Sequence, residues 1–277
     1  MNQPHDPKVV LITGGSSGFG KACVEYLAAS GHRVYGTSRR SSFPADRSTA
    51  QLPLVIPLNV GDEDSVAAAV DFILEREGQL DVLVNNAGFA LAGAIELTST
   101  EEAKQQFETN FFGVHRVCRK VLPGMRSKRS GLIVNISSMG GLIALPYQGF
   151  YCASKYALEA LTESLRMEAK PFGVRVTLIE PGDFRTRITT NRVVAAASSE
   201  ALDYVDRQRA AVEVIAKEEQ SGADPMRLAV LVSNIIDRRR VRSRYLVGMY
   251  FQKMAVWAKR FLPASVFETL IMNHYKV

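Results

Sequence analysis

Residues 13–20, TGGSSGFG, follow an apolar run at 9–13 and precede a helical pattern at 18–30. Glycines at a strand-to-helix turn let the backbone approach a pyrophosphate closely, and the helix N-terminus offers it free N–H groups and a positive dipole end. The glycine spacing differs from the familiar G-x-G-x-x-G, but its position between strand and helix favours a dinucleotide site over a turn without a ligand. The residues expected to bind there are Gly14, Ser16, Ser17, Gly18, Phe19 and Gly20.

Short runs rich in Val, Ile and Leu alternate with helical patterns along the rest of the chain. This alternation predicts right-handed βαβ units and a doubly wound parallel sheet with helices on both faces, an α/β fold. The strand candidates are residues 9–13, 33–37, 54–58, 82–85, 132–137 and 174–180, with a weaker one at 245–248. The helix candidates are 18–30, 63–77, 100–127 and 150–172.

The composition is that of a globular protein. The 277 residues are 47% hydrophobic and 22% charged, which excludes a disordered, collagen-like or disulfide-scaffold chain. The three cysteines lie far apart with no C-x-x-C pair, so no metal site or disulfide framework is expected. Free cysteines are typical of a reducing compartment, so a cytoplasmic location is expected. Residues 1–7 do not resemble a signal peptide. A single domain over 1–277 is predicted.

Two later segments stand outside this pattern. Residues 183–224 form the least regular stretch and are expected to be a substrate-binding loop or lid. Residues 249–277 predict two short amphipathic helices around Pro263, which either pack on the domain or rest on lipid. Residues 226–277 hold ten Lys/Arg and two Asp/Glu, while the whole chain is +6. This basic region is either solvated surface or a peripheral membrane contact, and nucleic-acid binding is not expected.

The end of the second strand candidate indicates which dinucleotide is bound. An acidic residue at this place would bond the ribose 2′-hydroxyl of NAD, but no acid occurs between Arg33 and Asp46. The chain instead has Ser38, Arg39 and Arg40, and a guanidinium can bind a 2′-phosphate with two parallel hydrogen bonds. NADP(H) is therefore predicted over NAD(H), with Arg39 as the main contact. Two solvated arginines are the alternative.

Two further strand ends belong to the same predicted crevice, because ligands bind outside the carboxyl ends of parallel strands. The residues expected to contact the cofactor there are Asn59, Val60, Asn86, Ala87 and Gly88. Each, taken alone, is also compatible with an ordinary turn.

Tyr151 and Lys155 are four residues apart on a helical segment and therefore share a face, and Ser138 ends the fifth strand candidate. Reduction of a ketone needs a proton for the developing alkoxide, and a phenol donates it near neutrality only if its anion is stabilised. A neighbouring ammonium together with the oxidised nicotinamide would stabilise it, and Ser138 would hold the substrate oxygen. Y-x-x-x-K alone is common on surfaces, so the prediction depends on the combination.

The combination of residues 13–20, 85–88, Asn110, Ser138, Tyr151, Lys155 and 181–182 resembles the short-chain dehydrogenase/reductases along about residues 8–187. The resemblance implies a Rossmann-like sheet of about seven strands. It also implies a catalytic tetrad: Tyr151 as acid/base, Ser138 orienting the carbonyl, Lys155 binding the nicotinamide ribose, and Asn110 holding a relay water. It further implies coenzyme contacts at Ile136, Tyr151, Lys155, Pro181, Gly182, Phe184 and Thr186, and a homodimer or homotetramer formed through helices 100–127 and 150–172.

Residues 140–146, 151–155 and 171–174 resemble the branch of that family containing 17β-hydroxysteroid dehydrogenase type 1 and retinol dehydrogenases. That branch implies NADP(H) and an apolar alcohol or ketone. Asn59 departs from the family, which usually has Asp there. The side chains expected to border the substrate, or else to be core, are Met139, Leu145, Tyr147 and Phe184.

The sequence therefore predicts an NADP(H)-dependent oxidoreductase that interconverts an apolar ketone or aldehyde, resembling a steroid, retinoid or lipid, and the alcohol. A reductase of 3-oxoacyl chains or other lipid ketones is the alternative enzyme. An NADP(H)-binding regulatory protein is the alternative of another class.

Overall fold

The strand before the glycine-rich turn is an inner strand, third from one edge, of a seven-stranded parallel sheet. In this computed structural model, residues 6–46, 50–199 and 201–277 are described. The strands of the sheet are β1 (Val9–Ile12), β2 (Arg33–Ser38), β3 (Leu54–Pro57), β4 (Val82–Asn85), β6 (Gly131–Ile136), β7 (Val174–Pro181) and β9 (Arg244–Val247), and β5 (Leu91–Ala92) lies outside it. Their order is β3-β2-β1-β4-β6-β7-β9. The predicted seven-stranded, doubly wound α/β fold is confirmed.

Helices cover both faces because the strands alternate Val, Ile and Leu side chains toward each. The helices are α1 (Gly18–Ala29), α2 (Glu63–Glu77), α3 (Thr100–Phe107), α4 (Gly113–Ser127), α5 (Gly149–Ala169), α6 (Leu202–Ser221), α7 (Met226–Ile236), α8 (Tyr250–Lys259) and α9 (Ala264–Tyr275). One core lies beneath α2, α4 and α5, and the other beneath α1 and α7. The carboxyl ends of the strands therefore lie together at one edge of the sheet, which these helices leave uncovered.

The helix predicted over 100–127 is interrupted. A π-helical turn, Glu108–Phe112, separates α3 from α4 and contains the buried Asn110. The Asn110 side chain accepts the backbone N–H of Phe89 at 3.1 Å and donates to the carbonyl oxygen of Phe89 at 3.0 Å. Such one-turn π segments are found mostly at functional sites, and apolar periodicity does not reveal them.

The segment 183–224 is less irregular than predicted. It contains β8 (Val193–Val194), which pairs with β5, and the 20-residue helix α6. Ala211 and Ile215, one turn apart, bury one face of α6 against Ile271 and Tyr275 of α9. The two short C-terminal helices predicted around Pro263 are α8 and α9, and α9 packs on the domain through α6.

Within the described residues, no helix has the length and apolar character needed to cross a bilayer. Residues 1–5, which form most of the N-terminal stretch judged unlike a signal peptide, lie outside the described part of the chain.

Candidate active site

The glycine-rich turn is anchored to the end of β4. The Thr13 hydroxyl accepts the backbone N–H groups of Asn86 at 2.9 Å and of Ala87 at 3.0 Å. The Asn86 amide donates in return to the carbonyl oxygens of Thr13 at 2.9 Å and of Gly14 at 3.2 Å. These hydrogen bonds hold the ends of β1 and β4 at a fixed separation, as a rigid phosphate-binding turn requires.

The turn itself suits a pyrophosphate. Gly14 and Gly18 have φ angles of 68° and 52°, in the left-handed region that favours glycine. The N-cap residue of α1, Ser17, makes no side-chain capping bond, and the first turn of α1 contains no acid. The backbone N–H groups at this helix start are therefore available to an anion, and the helix dipole favours one there.

Arg39 and Arg40 directly follow β2 and line the same cleft as Ser17. Asn59 lies at the end of the neighbouring strand, where its Oδ1 accepts the backbone N–H of Gly61 at 3.2 Å. The nearby Asp62 does not replace Asn59, because its carboxylate caps α2 by accepting the N–H of Ser65 at 3.0 Å.

Tyr151 lies in the first turn of α5 and its side chain is buried. The hydroxyl of Ser138 forms a hydrogen bond with its phenol. Burial raises the pKa of Tyr151, and the bond from Ser138 opposes that rise. In this structure the pKa of Tyr151 thus moves opposite to the direction expected for a proton donor near neutrality. A cation must therefore come close to the phenol before the expected lowering occurs.

Lys155 lies one helical turn beyond Tyr151, and its Nζ donates to the carbonyl oxygen of Ile136 at 3.0 Å. Burial lowers the pKa of Lys155 to about 8, and the carboxylate of Glu159 opposes that shift. Lys155 is not among the groups that shift the pKa of Tyr151. The predicted lowering of that pKa involves Lys155 together with the bound nicotinamide, so it stays a prediction for the coenzyme complex.

A pair of carboxyl groups lies behind Lys155. Glu159 and Glu180 are both buried, and Arg244 Nη1 lies 3.0 Å from Oε1 of Glu180. Burial, together with repulsion from Glu159, raises the pKa of Glu180 to about 8. Arg244 of β9 forms ion pairs with both Glu159 of α5 and Glu180 of β7. These contacts connect β7 and β9 to α5.

One cavity of about 1200 Å³ unites most of the residues singled out in the sequence. Of the predicted coenzyme contacts, those on its wall are Gly14, Ser16, Ser17, Gly18, Phe19, Ser38, Arg39, Arg40, Asn59, Val60, Asn86, Ala87, Gly88, Ile136, Tyr151, Lys155, Pro181, Gly182, Phe184 and Thr186. Ser138, Met139 and Leu145 line it as well. The cavity therefore runs from the glycine-rich turn past the predicted acid/base.

Three predicted residues do not line this cavity. Gly20 packs against the turn, where a Cβ would lie 2.1 Å from the carbonyl oxygen of Gly14. Asn110 is buried in the π turn beneath Phe89. Tyr147 packs on Ile215 and Tyr275, which themselves line the cavity, so its assignment to the substrate wall stays a prediction.

The sequence predicted a substrate-binding role for the segment 183–224, but it named none of the residues on the far wall of the cavity. It comes from α6, α8 and α9, and its residues include Ile215, Glu218, Glu219, Phe251, Gln252, Phe267, Leu270, Ile271, His274 and Tyr275. The sequence signal was the amphipathic spacing of these helices, which shows that one face is buried without showing what it faces.

The comparison with known proteins agrees with this geometry. Residues 8–196 match the model of the short chain dehydrogenase family. The chain belongs to the short-chain dehydrogenase family. It is accordingly an oxidoreductase of a fold that binds nicotinamide cofactors. A 3-ketodihydrosphingosine reductase of Bacteroides thetaiotaomicron is 41% identical over 271 residues, which cover 98% of this chain and 99% of that protein.

Solved short-chain dehydrogenases share the whole architecture. One from Streptomyces avermitilis is 34% identical and superposes with a TM-score of 0.80, covering 95% of this chain and 96% of its own. A 3-ketoacyl-(acyl-carrier-protein) reductase from Brucella melitensis, complexed with NADH, is 25% identical with a TM-score of 0.70, covering 86% of this chain and 95% of its own. The predicted family is confirmed, whereas the hydroxysteroid and retinol dehydrogenase branch stays a prediction.

Proposed function

We propose that this short-chain dehydrogenase reduces a long-chain lipid ketone to the alcohol with NADPH. The observation that carries the proposal is the single cavity that joins the glycine-rich turn, Tyr151 and an apolar wall. That wall is built by Ile215, Phe251, Phe267, Leu270 and Ile271. An alkyl chain lying along it would bury apolar surface on both sides, and this burial would favour its binding.

The relatives favour the lipid-ketone interpretation over a steroid or retinoid substrate. The Bacteroides relative acts on a ketone of a sphingoid base, and the Brucella neighbour acts on a ketoacyl chain. Both names describe a ketone carried on a lipid or acyl chain. The regulatory alternative loses weight because Ser138, Tyr151 and Lys155 lie on one cavity wall.

The catalytic roles follow from the placement of the side chains. Tyr151 would donate its hydroxyl proton to the oxygen formed from the ketone, and Ser138, bonded to that phenol, would hold the same oxygen. Lys155 would bind the ribose hydroxyls and hold its charge near the phenol. Asn110 would bind the relay water. The bound nicotinamide supplies the hydride in reduction and accepts it in oxidation.

The choice of NADPH rests on Arg39. The Brucella neighbour was solved with NADH, so the shared fold does not by itself select the phosphate. Here Arg39 and Arg40 line the cleft directly after β2, where a carboxylate would repel a 2′-phosphate. The free N–H groups at the start of α1 would hold the pyrophosphate.

The segment 183–224 and the C-terminal helices would select the substrate. The test is NADPH oxidation against a panel of sphingoid, 3-oxoacyl, steroid and retinoid ketones, with NADH in parallel. Fastest turnover of a long-chain lipid ketone with NADPH is expected. Preference for a steroid or retinoid would overturn the proposal, and so would equal use of NADH. Coenzyme binding without turnover of any ketone would favour the regulatory alternative.

We further propose that α8 and α9 contact an anionic membrane surface, from which such a substrate would come. The outer face of α8 exposes Tyr250 (79%) and Trp257 (61%), and Phe261 (63%) is exposed in the turn between α8 and α9. Lys253 and Arg260 lie among them, and Glu268 is the only acid after residue 248. Aromatic and basic side chains on one surface are complementary to the boundary of an anionic bilayer. The opposite faces of the same helices line the cavity.

Trp257 provides a direct measurement, because it is the only tryptophan in the chain. A blue shift of its fluorescence is expected with anionic vesicles and not with neutral ones, together with co-sedimentation at low salt. Phe261→Ser, which removes the ring 4.4 Å from that of Trp257, should weaken the pelleting, and Met167→Ser on α5 should not. Absence of pelleting at low salt, or equal pelleting with neutral vesicles, would contradict the proposal.

Self-association is proposed through α4 and α5. Tyr156 and Met167 of α5 are eleven residues apart, hence on one face, and both expose apolar surface, as does Phe112 before α4. Light scattering after size exclusion is expected to give a dimer or tetramer, and Met167→Asp should reduce it. A monomer at micromolar concentration would rule the pairing out.

A further inference from the structure

The apolar cavity has one acidic corner, defined here as Asp183, Glu218 and Glu219 with the polar side chains around them. All three acids line the cavity. Glu219 is paired with Arg192 at 2.5 Å, and Nε2 of His274 lies 2.9 Å from Oε1 of Glu218. Among the described residues, Arg192 is the one arginine or lysine that forms an ion pair with these carboxylates, so acidic groups outnumber basic ones in the acidic corner.

These charges are close to one another and to the catalytic tyrosine. Burial, with repulsion from Glu218 and Glu219, raises the pKa of Asp183 to about 7, while the amide of Gln252 and the charge of Arg192 oppose this. The charge of Glu219 also acts on Tyr151. The acidic corner is therefore beside the place where the ketone would bind.

Two buried polar side chains in the same wall lack hydrogen-bond partners. The side chains of Gln148 and Tyr275, exposed by 3% and 9%, bond no other group among residues 6–46, 50–199 and 201–277. Tyr275 senses the charges of Glu218 and Asp183, and Gln148 lies one turn before Tyr151. Their polar atoms are open to the cavity and are not closed off inside the protein, so they are able to bond a ligand there. These two groups therefore indicate a polar ligand at this corner of an otherwise apolar cavity.

We propose that the acidic corner binds an ammonium group carried next to the substrate ketone, so that the enzyme selects long-chain amino ketones over neutral ketones. This inference rests on the proposed function and deepens it. An ammonium has three donors and no acceptor. Glu218, Asp183 and the oxygens of Gln148 and Tyr275 can all accept hydrogen bonds from such a group, and its charge offsets the excess negative charge. A neutral acyl chain would leave these acceptors without a donor and the excess negative charge without a countercharge.

The experiment compares two ketones under NADPH. One is 3-ketodihydrosphingosine, which carries an amine on the carbon next to the ketone. The other is the same chain with hydrogen in place of the amine. Wild type should prefer the amino ketone at least about tenfold in kcat/KM, because charge-assisted hydrogen bonds in a buried site have that strength.

The variants separate charge recognition from packing. Glu218→Gln should lower kcat/KM for the amino ketone by about 10- to 100-fold, mainly through KM, and leave the neutral ketone within about twofold. Tyr275→Phe should lower it by a smaller factor in the same direction. The matched control is Glu213→Gln, which removes the same charge from the exposed side of α6, away from the cavity. It should change neither rate.

The outcomes distinguish this inference from the proposed function. If wild type reduces both ketones equally and Glu218→Gln changes neither, the acidic corner does not read the amine, and the lipid-ketone function stands. Equal losses on both ketones in Glu218→Gln would assign Glu218 a structural role and also overturn the inference. If wild type binds NADPH but reduces neither ketone, the proposed function itself fails.

Discussion

Nζ of Lys155 lies 3.0 Å from the carbonyl oxygen of Ile136, one helical turn from Tyr151. The ammonium is thereby held at the end of β6, where the predicted coenzyme crevice opens. Burial keeps its pKa at about 8, so part of its charge is lost in mildly alkaline solution. The buried Lys155 therefore lowers the stability of the coenzyme-free protein, although its position is suited to binding the coenzyme.

Lys155→Met should raise the stability of the coenzyme-free protein at pH 7. The pKa of about 8 in the folded state, against 10.5 normally, means that the unfolded chain binds more protons between these values. The contribution of Lys155 to the unfolding free energy therefore rises with pH across that window, by about 3 kcal/mol. Urea unfolding should show the variant ahead of wild type at pH 7, with a smaller difference near pH 10.

The matched control for that variant is Lys217→Met, on the exposed side of α6, which should change stability little at either pH. A Lys155→Met protein less stable than wild type at pH 7 would show that the bond to Ile136 outweighs the cost of burial.

Tyr151→Phe should abolish turnover and retain the coenzyme. Loss of the proton donor should reduce kcat by about 10²- to 10⁴-fold, the usual contribution of general acid catalysis. Stopped-flow kinetics and NADPH fluorescence titration would measure the two effects separately. Tyr26→Phe, on α1 away from the cavity, is the control for removing a hydroxyl. Equal turnover by Tyr151→Phe would exclude this mechanism.

Arg39→Asp should weaken NADPH far more than NADH. Reversing the charge beside the expected 2′-phosphate should reduce kcat/KM for NADPH by about 100-fold and leave NADH nearly unchanged, because only NADPH carries that phosphate. Arg185→Asp makes the same charge change on an exposed loop outside the cavity and should preserve the preference. An unchanged ratio in Arg39→Asp would show that Arg39 does not read the phosphate.

Gly20→Ala should disturb the glycine-rich turn although Gly20 does not line the cavity. The added Cβ would lie 2.1 Å from the carbonyl oxygen of Gly14, a backbone atom that cannot rotate away. A loss of about 1–3 kcal/mol in unfolding free energy is expected, with weaker NADPH binding. Gly124→Ala meets nothing within 4 Å and should preserve stability. A fully stable Gly20→Ala variant that binds NADPH normally would contradict the packing role.

The half of the cavity around the coenzyme site could be predicted because its signals are local. The residues of 13–20 need only a strand, a turn and a helix in succession to define the turn, and Tyr151 and Lys155 need only one helix to share a face. The parallel strands could also be expected, since buried parallel strands have continuous apolar runs. Each of these inferences depends on neighbours within about one turn or one strand end.

The sequence by itself determined the α/β class, the seven strands, the glycine-rich turn and the helix that presents Tyr151. The tertiary structure alone decided that the π turn buries Asn110, that Tyr147 packs on Ile215 and Tyr275, and that α6 and α9 bring Glu218 and Tyr275 to the cavity. The reason is physical: amphipathic spacing indicates that a helix face is buried, whereas the identity of its partner depends on contacts between segments that are distant in sequence. The substrate wall is made of such contacts.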